Sequence, residues 1–135
     1  MTRSAVRTTA APAAVGPYSQ AIIAGDLVFC AGQGAIDPIT NEVQHGTIEA
    51  ETERTLRNIG GLLDAAGVTY ADVVKTTVFL ADMADFKAMN GVYATFFPDP
   101  PPARSTVQVA ALPLGFKVEI EVVAYRQQPV DAVAR

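Results

Sequence analysis

The sequence predicts an α+β domain in which two helices cover one face of a sheet. Segments with the two-residue period of a strand alternate with two segments of helical period. The chain has 135 residues, which suits a single domain, and half of them are hydrophobic, which is enough for a packed core. We therefore treat residues 1–135 as one domain and expect residues 127–135 to form a flexible tail.

The first half of the domain is predicted to contain two strands and a long helix. Ala21 to Ala31 has two apolar segments around Gly25-Asp26, a pair typical of a hairpin turn. Apolar residues at helical spacing indicate a helix over Thr47 to Ala66, with Thr47 as its N-cap. Gly60-Gly61 lowers the local helix propensity, and such a pair can permit close packing on a sheet.

The second half is predicted to contain a strand, a helix and two more strands. Val73 to Leu80 is rich in Val, Thr and Phe, and Asp82 can cap the helix that follows it. Ser105 to Val109 and Lys117 to Tyr125 have the pattern of strands, and the latter alternates clearly. No helix remains to cover the other face of the sheet, which predicts an oligomer.

Composition and charge argue against several classes of function. The net charge of −4 disfavours a nucleic-acid-binding protein, which needs basic surface to neutralise phosphates. No apolar run approaches the ~20 residues of a membrane helix, and the N-terminus lacks a secretory pattern. One cysteine forms no intrachain disulfide and suits a cytoplasmic protein. With one histidine besides, a zinc site is not expected, and we predict no metal.

Polar residues on the last two predicted strands are the strongest candidates for chemistry. Arg104 and Thr106 share one face of a strand, and Glu119 lies on the next strand. If these strands pair as a hairpin, a guanidinium and a carboxylate converge on one face. Arginine binds carboxylates with two parallel hydrogen bonds, and glutamate can transfer a proton. From spacing alone, however, a plain cross-strand or interface salt bridge is the favoured interpretation.

Other polar residues have both structural and functional interpretations. Asn90 lies on the apolar face of the second helix, where it is either a structural hydrogen-bonding residue or a ligand contact. Tyr18 follows Gly16-Pro17, which restricts the backbone, and both interpretations stay open there too. Cys30 lies in a buried type of segment and is favoured as a core residue over a nucleophile. His45, in a polar loop, is expected at the surface.

Taken together, segments along nearly the whole chain resemble the RidA/YjgF family of reactive-intermediate deaminases. In chain order they are Gly16-Pro17-Tyr18-Ser19-Gln20-Ala21, Gly32-Gln33, Lys75 to Met83, Asn90 to Phe97, Pro102 to Val109 and Val118 to Glu121. The resemblance implies a fold like that of small trimeric chorismate mutases, with a mainly antiparallel six-stranded sheet and two helices on one face. It also implies a homotrimer with an inner sheet barrel and three clefts between subunits.

The resemblance further implies an activity and its residues. The activity is hydrolysis of 2-imino acids and their enamine tautomers, such as 2-iminopropanoate and 2-iminobutanoate, to 2-keto acids and ammonia without a cofactor. Arg104 matches the residue that binds the substrate carboxylate, and Glu119 matches the residue that positions or activates water. Residues that match the lining of the cleft are Tyr18, Gly32, Asn90 and Thr106.

Two further residues bear on the substrate, and two other functions stay open. Ala31 replaces the serine of the family segment and so removes a hydroxyl from the expected cleft. Phe116, before the last strand, is expected to shape the pocket toward a different side chain. One alternative is a trimer that binds metabolites without catalysis. The other is an endoribonuclease or translation inhibitor, which an acidic chain without a pair of histidines supports only weakly.

Overall fold

A computed structural model describes residues 2–127 as one six-stranded sheet with two helices packed on one face. The predicted α+β class is therefore confirmed, whereas the predicted tail falls almost entirely outside the described residues. The elements are β1 (Arg3–Val6), β2 (Ala21–Ala24), β3 (Leu27–Gln33), α1 (Ile48–Ala65), β4 (Val73–Leu80), α2 (Phe86–Tyr93), β5 (Ala103–Gln108) and β6 (Val118–Tyr125).

The strand order is β1-β2-β3-β6-β4-β5. All neighbouring strands are antiparallel except β4 and β5, which are parallel. The predicted pairing of the last two strands as a hairpin is therefore wrong, because β4 lies between them. The connection between β5 and β6 is long enough to cross β4, and it includes a short 3-10 turn at Pro113–Gly115. As a result, β5 is an edge strand and β6 is central.

Helix α1 forms where its sequence predicts it. The Thr47 side chain accepts a hydrogen bond from the Ala50 N–H at 3.1 Å, which satisfies one of the free donors at the helix start. The glycine pair permits close packing, but not on the sheet as expected. A Cβ atom added to Gly60 would lie 2.2 Å from the Tyr70 hydroxyl oxygen. A Cβ atom added to Gly61 would lie 2.2 Å from the Ala10 carbonyl oxygen.

The two faces of the sheet differ in burial. Val28, Val78, Val118 and Ile120 point toward the helices and are fully buried. Within residues 2–127 no helix covers the opposite face, where large apolar side chains are 37–46% exposed; these are Leu27, Phe29, Val107 and Tyr125. Such an apolar surface is typical of a site that binds another protein surface. No helix of the described chain is long and apolar enough to cross a membrane.

Candidate functional site

Arg104 lies on the helix-covered face, at the β5 edge of the sheet. It pairs in register with Thr76 of β4, whose hydroxyl lies 2.7 Å from the Tyr93 hydroxyl of α2. The central guanidinium carbon of Arg104 lies 4.7 Å from the centre of the Tyr93 ring and 5.5 Å from that of Phe86. Aromatic faces attract cations at these distances. Helix α2 therefore holds the half-buried guanidinium in place.

Two buried polar atoms near this arginine have no hydrogen-bond partner among the described residues. They are Oδ1 of Asn90 on α2 and Oγ1 of Thr106, which is two residues beyond Arg104 on the same face of β5. Buried polar atoms almost always have partners in folded proteins. A cation beside unused hydrogen-bonding groups is a suitable site for a small polar anion. We call Arg104, Asn90, Thr106 and Tyr93 the arginine half-site.

Glu119 lies on the other face of the sheet. It pairs with Phe79 of β4, three residues beyond Thr76, and an odd separation along a strand reverses the face. Its carboxylate covers Gly32 of β3, where an added Cβ atom would lie 2.2 Å from Oε2. The register of β3 and β6 shifts at this point, between Cys30 and Gln33, as in a β-bulge. Only glycine leaves room for the carboxylate there.

Glu119 also lines a cavity of about 350 Å³. Tyr18 and Gly32 line the same cavity, together with Ala31 and Phe116. This volume lies in the range of small-molecule sites. A larger depression of about 730 Å³ also includes Tyr18 in its lining, but that lining contains no carboxylate. We call Tyr18, Ala31, Gly32, Phe116 and Glu119 the glutamate half-site.

Burial and a neighbouring charge tune the glutamate half-site. Burial raises the pKa of the Glu119 carboxyl, and the negative charge of Glu121 raises it further. A carboxyl of this kind is a better proton carrier near neutral pH than an ordinary one. Burial alone raises the pKa of the nearby Cys30 thiol to about 12, so this residue stays a thiol. Its buried position supports the interpretation as a core residue.

The expected convergence of Arg104 and Glu119 on one face of a single chain is wrong. Their strands are not neighbours, and the two side chains lie on opposite faces. The candidate residues instead form two groups. Asn90 and Thr106 accompany the arginine, whereas Tyr18 and Gly32 accompany the glutamate.

Gln20 is a buried residue of the site that the sequence pattern does not single out. Its side-chain oxygen accepts a hydrogen bond from the Thr8 N–H at 2.9 Å, and its Nε2 donates to the Pro12 carbonyl at 2.8 Å. These bonds fix the segment that forms one wall of the cavity beside Tyr18. Its position within the Gly16 to Ala21 segment was the only available signal.

Gly34 is a second residue of the site that the sequence pattern does not single out, and it makes room for the Phe116 ring. A Cβ atom at this position would lie 2.4 Å from the Phe116 ring. Only glycine therefore lets Phe116 pack into the wall of the cavity. Phe116 lies in the wall of the cavity, and its effect on the choice of substrate stays a prediction.

The comparisons with known proteins assign the family. The sequence profile of the endoribonuclease L-PSP family matches residues 8–126. The chain belongs to this family. Its named relatives include reactive-intermediate deaminases, so the RidA/YjgF resemblance is confirmed.

Three relatives illustrate the likeness. Reactive Intermediate Deaminase A, chloroplastic, from Arabidopsis thaliana is 53% identical over 122 residues, which is 90% of this chain and 65% of that protein. The 2-iminobutanoate/2-iminopropanoate deaminase of Mus musculus is 47% identical over 90% of both chains. The crystal structure of E. coli TdcF with bound serine has a TM-score of 0.87 at 38% identity and covers 92% of this chain and 99% of its own.

No metal site stands out in this family member. Within residues 2–127 there is no group of three or more His, Cys, Asp or Glu residues that could hold a metal ion. His45 is exposed, as expected. Independence from metal stays a prediction.

Proposed function

We propose that this protein is an enzyme that hydrolyses 2-imino acids and their enamine tautomers to 2-keto acids and ammonia, without a metal or cofactor. The observation that carries the proposal is the pair of half-sites. One offers a fixed cation beside free hydrogen-bonding atoms, which suits the carboxylate of an imino acid. The other offers a carboxyl with a raised pKa in a cavity, which suits proton transfer to and from water.

The two half-sites are proposed to meet between subunits of a homotrimer. Arg104 and Glu119 lie on opposite faces of one sheet, so a single chain does not offer both to one small molecule. The face that carries Glu119 is apolar and exposed, and β5 is an edge strand. Packing these faces inside a trimer would bury them and bring one subunit's arginine half-site to its neighbour's glutamate half-site.

In the proposed reaction, Arg104 binds the substrate carboxylate through two hydrogen bonds. Asn90 and Thr106 provide further polar contacts. Glu119 accepts a proton from water as the water oxygen bonds to the imine carbon, and the C=N π electrons move to nitrogen, which is protonated. Glu119 passes that proton to the nitrogen and is ionised again. It then accepts the hydroxyl proton of the carbinolamine and passes it to the amino nitrogen, as the C=O bond forms, the C–N bond breaks and ammonia leaves. Because imines hydrolyse readily in water, orientation and modest acid–base assistance suffice.

The relatives support this substrate class. Two of them are named as deaminases, one of them specifically of 2-iminobutanoate and 2-iminopropanoate. E. coli TdcF binds serine, which has the carboxylate and the substituted α-carbon of such a substrate. In this chain, position 31 carries alanine where the family segment has a serine residue, so the wall that Ala31 and Phe116 form is less polar. We propose that the reaction takes place in the cytoplasm.

Two alternatives use the same fold. A metabolite-binding trimer without catalysis would bind the keto acid through the same Arg104, so binding alone does not separate it from the enzyme. An endoribonuclease is favoured by the name of the family and by those of some related structures, and by no feature of the two half-sites. The net charge of −4 and the single histidine do not favour RNA binding or histidine-based RNA cleavage.

A coupled assay tests the proposal. An amino-acid oxidase generates the imine, and keto-acid release is timed with and without this protein, in buffer and in EDTA. We expect faster release in both. Keto-acid binding without any acceleration would support the metabolite-binding trimer instead of the enzyme. Activity lost in EDTA but restored by a divalent ion would contradict the metal-free mechanism.

A further inference from the structure

Helix α1 carries a carboxylate that is completely buried. Glu51 is 0% exposed, although its helix has a polar outer surface. Its Oε1 accepts a hydrogen bond from the Lys117 main-chain N–H at 2.9 Å. Its Oε2 accepts one from the Gly46 N–H at 3.2 Å and lies 3.4 Å from the Lys117 ammonium. Burying a charge is unfavourable unless it is paired in this way, so the site is specifically built.

The residue that Glu51 holds leads directly into the glutamate half-site. Lys117 precedes β6, follows the cavity wall residue Phe116, and lies two positions before Glu119. The Lys117 main-chain N–H and ammonium group both donate hydrogen bonds to the Glu51 carboxylate, and these two bonds fix where β6 begins relative to α1. The position of the Glu119 carboxylate over Gly32 depends on this start, because β6 pairs with a bulged part of β3 there.

A second buried polar side chain on α1 holds another part of the cavity wall. Asn58 lies seven residues after Glu51, on the same side of the helix, and is also 0% exposed. Its Nδ2 donates to the carbonyl oxygens of Gly34 at 3.1 Å and Ile36 at 2.8 Å. Gly34 and Ile36 both line the cavity. The same helix therefore anchors two of the segments that enclose Glu119.

We propose that Glu51 is a positioning residue for the reaction, which holds the Glu119 carboxylate in its working place through Lys117. This proposal rests on the proposed imine hydrolysis. Glu51 itself touches neither the cavity nor the substrate. Its removal should therefore slow the proton-transfer step and leave recognition of the substrate carboxylate by Arg104 unchanged.

The test is the split between kcat and KM in two variants. Glu51→Gln keeps the shape but replaces one acceptor oxygen by an amide that repels the N–H groups facing it. Glu51→Asp keeps the charge but is one carbon too short to hold both donors. We expect each to lower kcat about tenfold to a hundredfold, the scale of a misplaced catalytic group, with little change in KM. Glu53→Gln removes an exposed carboxylate on the same helix and should behave as wild type.

Folding is checked by circular dichroism and light scattering, and rates are measured well below each thermal midpoint. Wild-type kcat in both Glu51 variants would overturn the proposal. So would a rise in KM with unchanged kcat, because Glu51 would then act on binding. These results differ from failure of the proposed function, in which the wild-type protein itself does not accelerate imine hydrolysis.

Discussion

The arginine and glutamate half-sites are held in different ways. Arg104 is on an edge strand and is fixed by the rings of Tyr93 and Phe86 from a helix. Glu119 is on a central strand, and its carboxylate packs against the backbone of Gly32. An edge strand can present a binding group to a neighbouring subunit, whereas a central strand, paired on both sides, holds the backbone of a proton-transfer group in place. In the proposed mechanism, binding and proton transfer are divided between two parts of the chain, so substitutions should separate them.

The largest effect is expected from the arginine half-site. Arg104→Ala should lower kcat/KM by roughly 10³-fold and abolish keto-acid binding, because the partner of the substrate carboxylate is lost. Arg104→Lys should restore little, since an ammonium does not copy the planar guanidinium. Steady-state kinetics and calorimetric titration with pyruvate measure both quantities. Near-normal pyruvate affinity in Arg104→Ala would show that another group binds the carboxylate.

Glu119→Gln should separate the two half-sites. It keeps the size of the side chain but removes proton transfer, so kcat should fall about 10²-fold while pyruvate still binds. An unchanged kcat would leave Glu119 with a structural role only.

The same variant should be more stable than wild type at neutral pH. Because the folded state raises the pKa of Glu119 above its ordinary value of 4.5, ionisation of this carboxyl disfavours folding. Stability is therefore lost as pH rises from 4.5 through the raised pKa. The thermal midpoint of Glu119→Gln should exceed that of wild type at pH 7, and the difference should disappear below pH 4.5.

Gly32→Ala tests the contact that fixes the glutamate half-site. The added Cβ atom would meet the end of the Glu119 side chain, which can move, so the protein should fold while kcat falls about tenfold or more. Gly91→Ala on α2 is the matched control, because a Cβ atom there meets nothing within 4 Å. Equal kcat in the two variants would mean that the position of Glu119 over Gly32 is unimportant.

The smallest effect is expected at Glu121. Glu121→Gln removes a negative charge that raises the pKa of Glu119, so the acidic limb of the profile of kcat against pH should move to lower pH. Burial, the larger cause, is unchanged, and activity at pH 7 should stay close to wild type. A limb that moves to higher pH would contradict the assignment of that limb to Glu119.

Local patterns predicted the elements well but their pairing poorly. The alternation of β6 and the composition of β4 are encoded within each segment, and both strands form where expected. The pairing of β4 with β5 depends on contacts between residues distant in sequence, and adjacency along the chain wrongly suggested that β5 pairs with β6. Strand β1 was not predicted, because its four residues carry little pattern and gain their order from pairing with β2.

The candidate residues were predicted mainly through the family resemblance, and their arrangement was not. Spacing alone favoured a plain salt bridge for Arg104, and nothing in the pattern indicated that Glu119 faces the other way. That result follows from the register of both strands on β4, where Arg104 pairs with Thr76 and Glu119 pairs with Phe79, three residues further on. The contact between Glu119 and Gly32 depends on a bulge that no local signal marks.

Mixing two inactive variants tests most directly whether the site is shared between subunits. Arg104→Ala and Glu119→Gln chains are refolded together in equal amounts, and imine hydrolysis is compared with each variant alone. If every cleft takes its arginine from one subunit and its glutamate from the next, about one quarter of randomly assembled clefts are intact, and about a quarter of wild-type activity should return. If the mixture is no more active than the separate variants, the two residues act within one chain or not together at all, and the shared site is wrong.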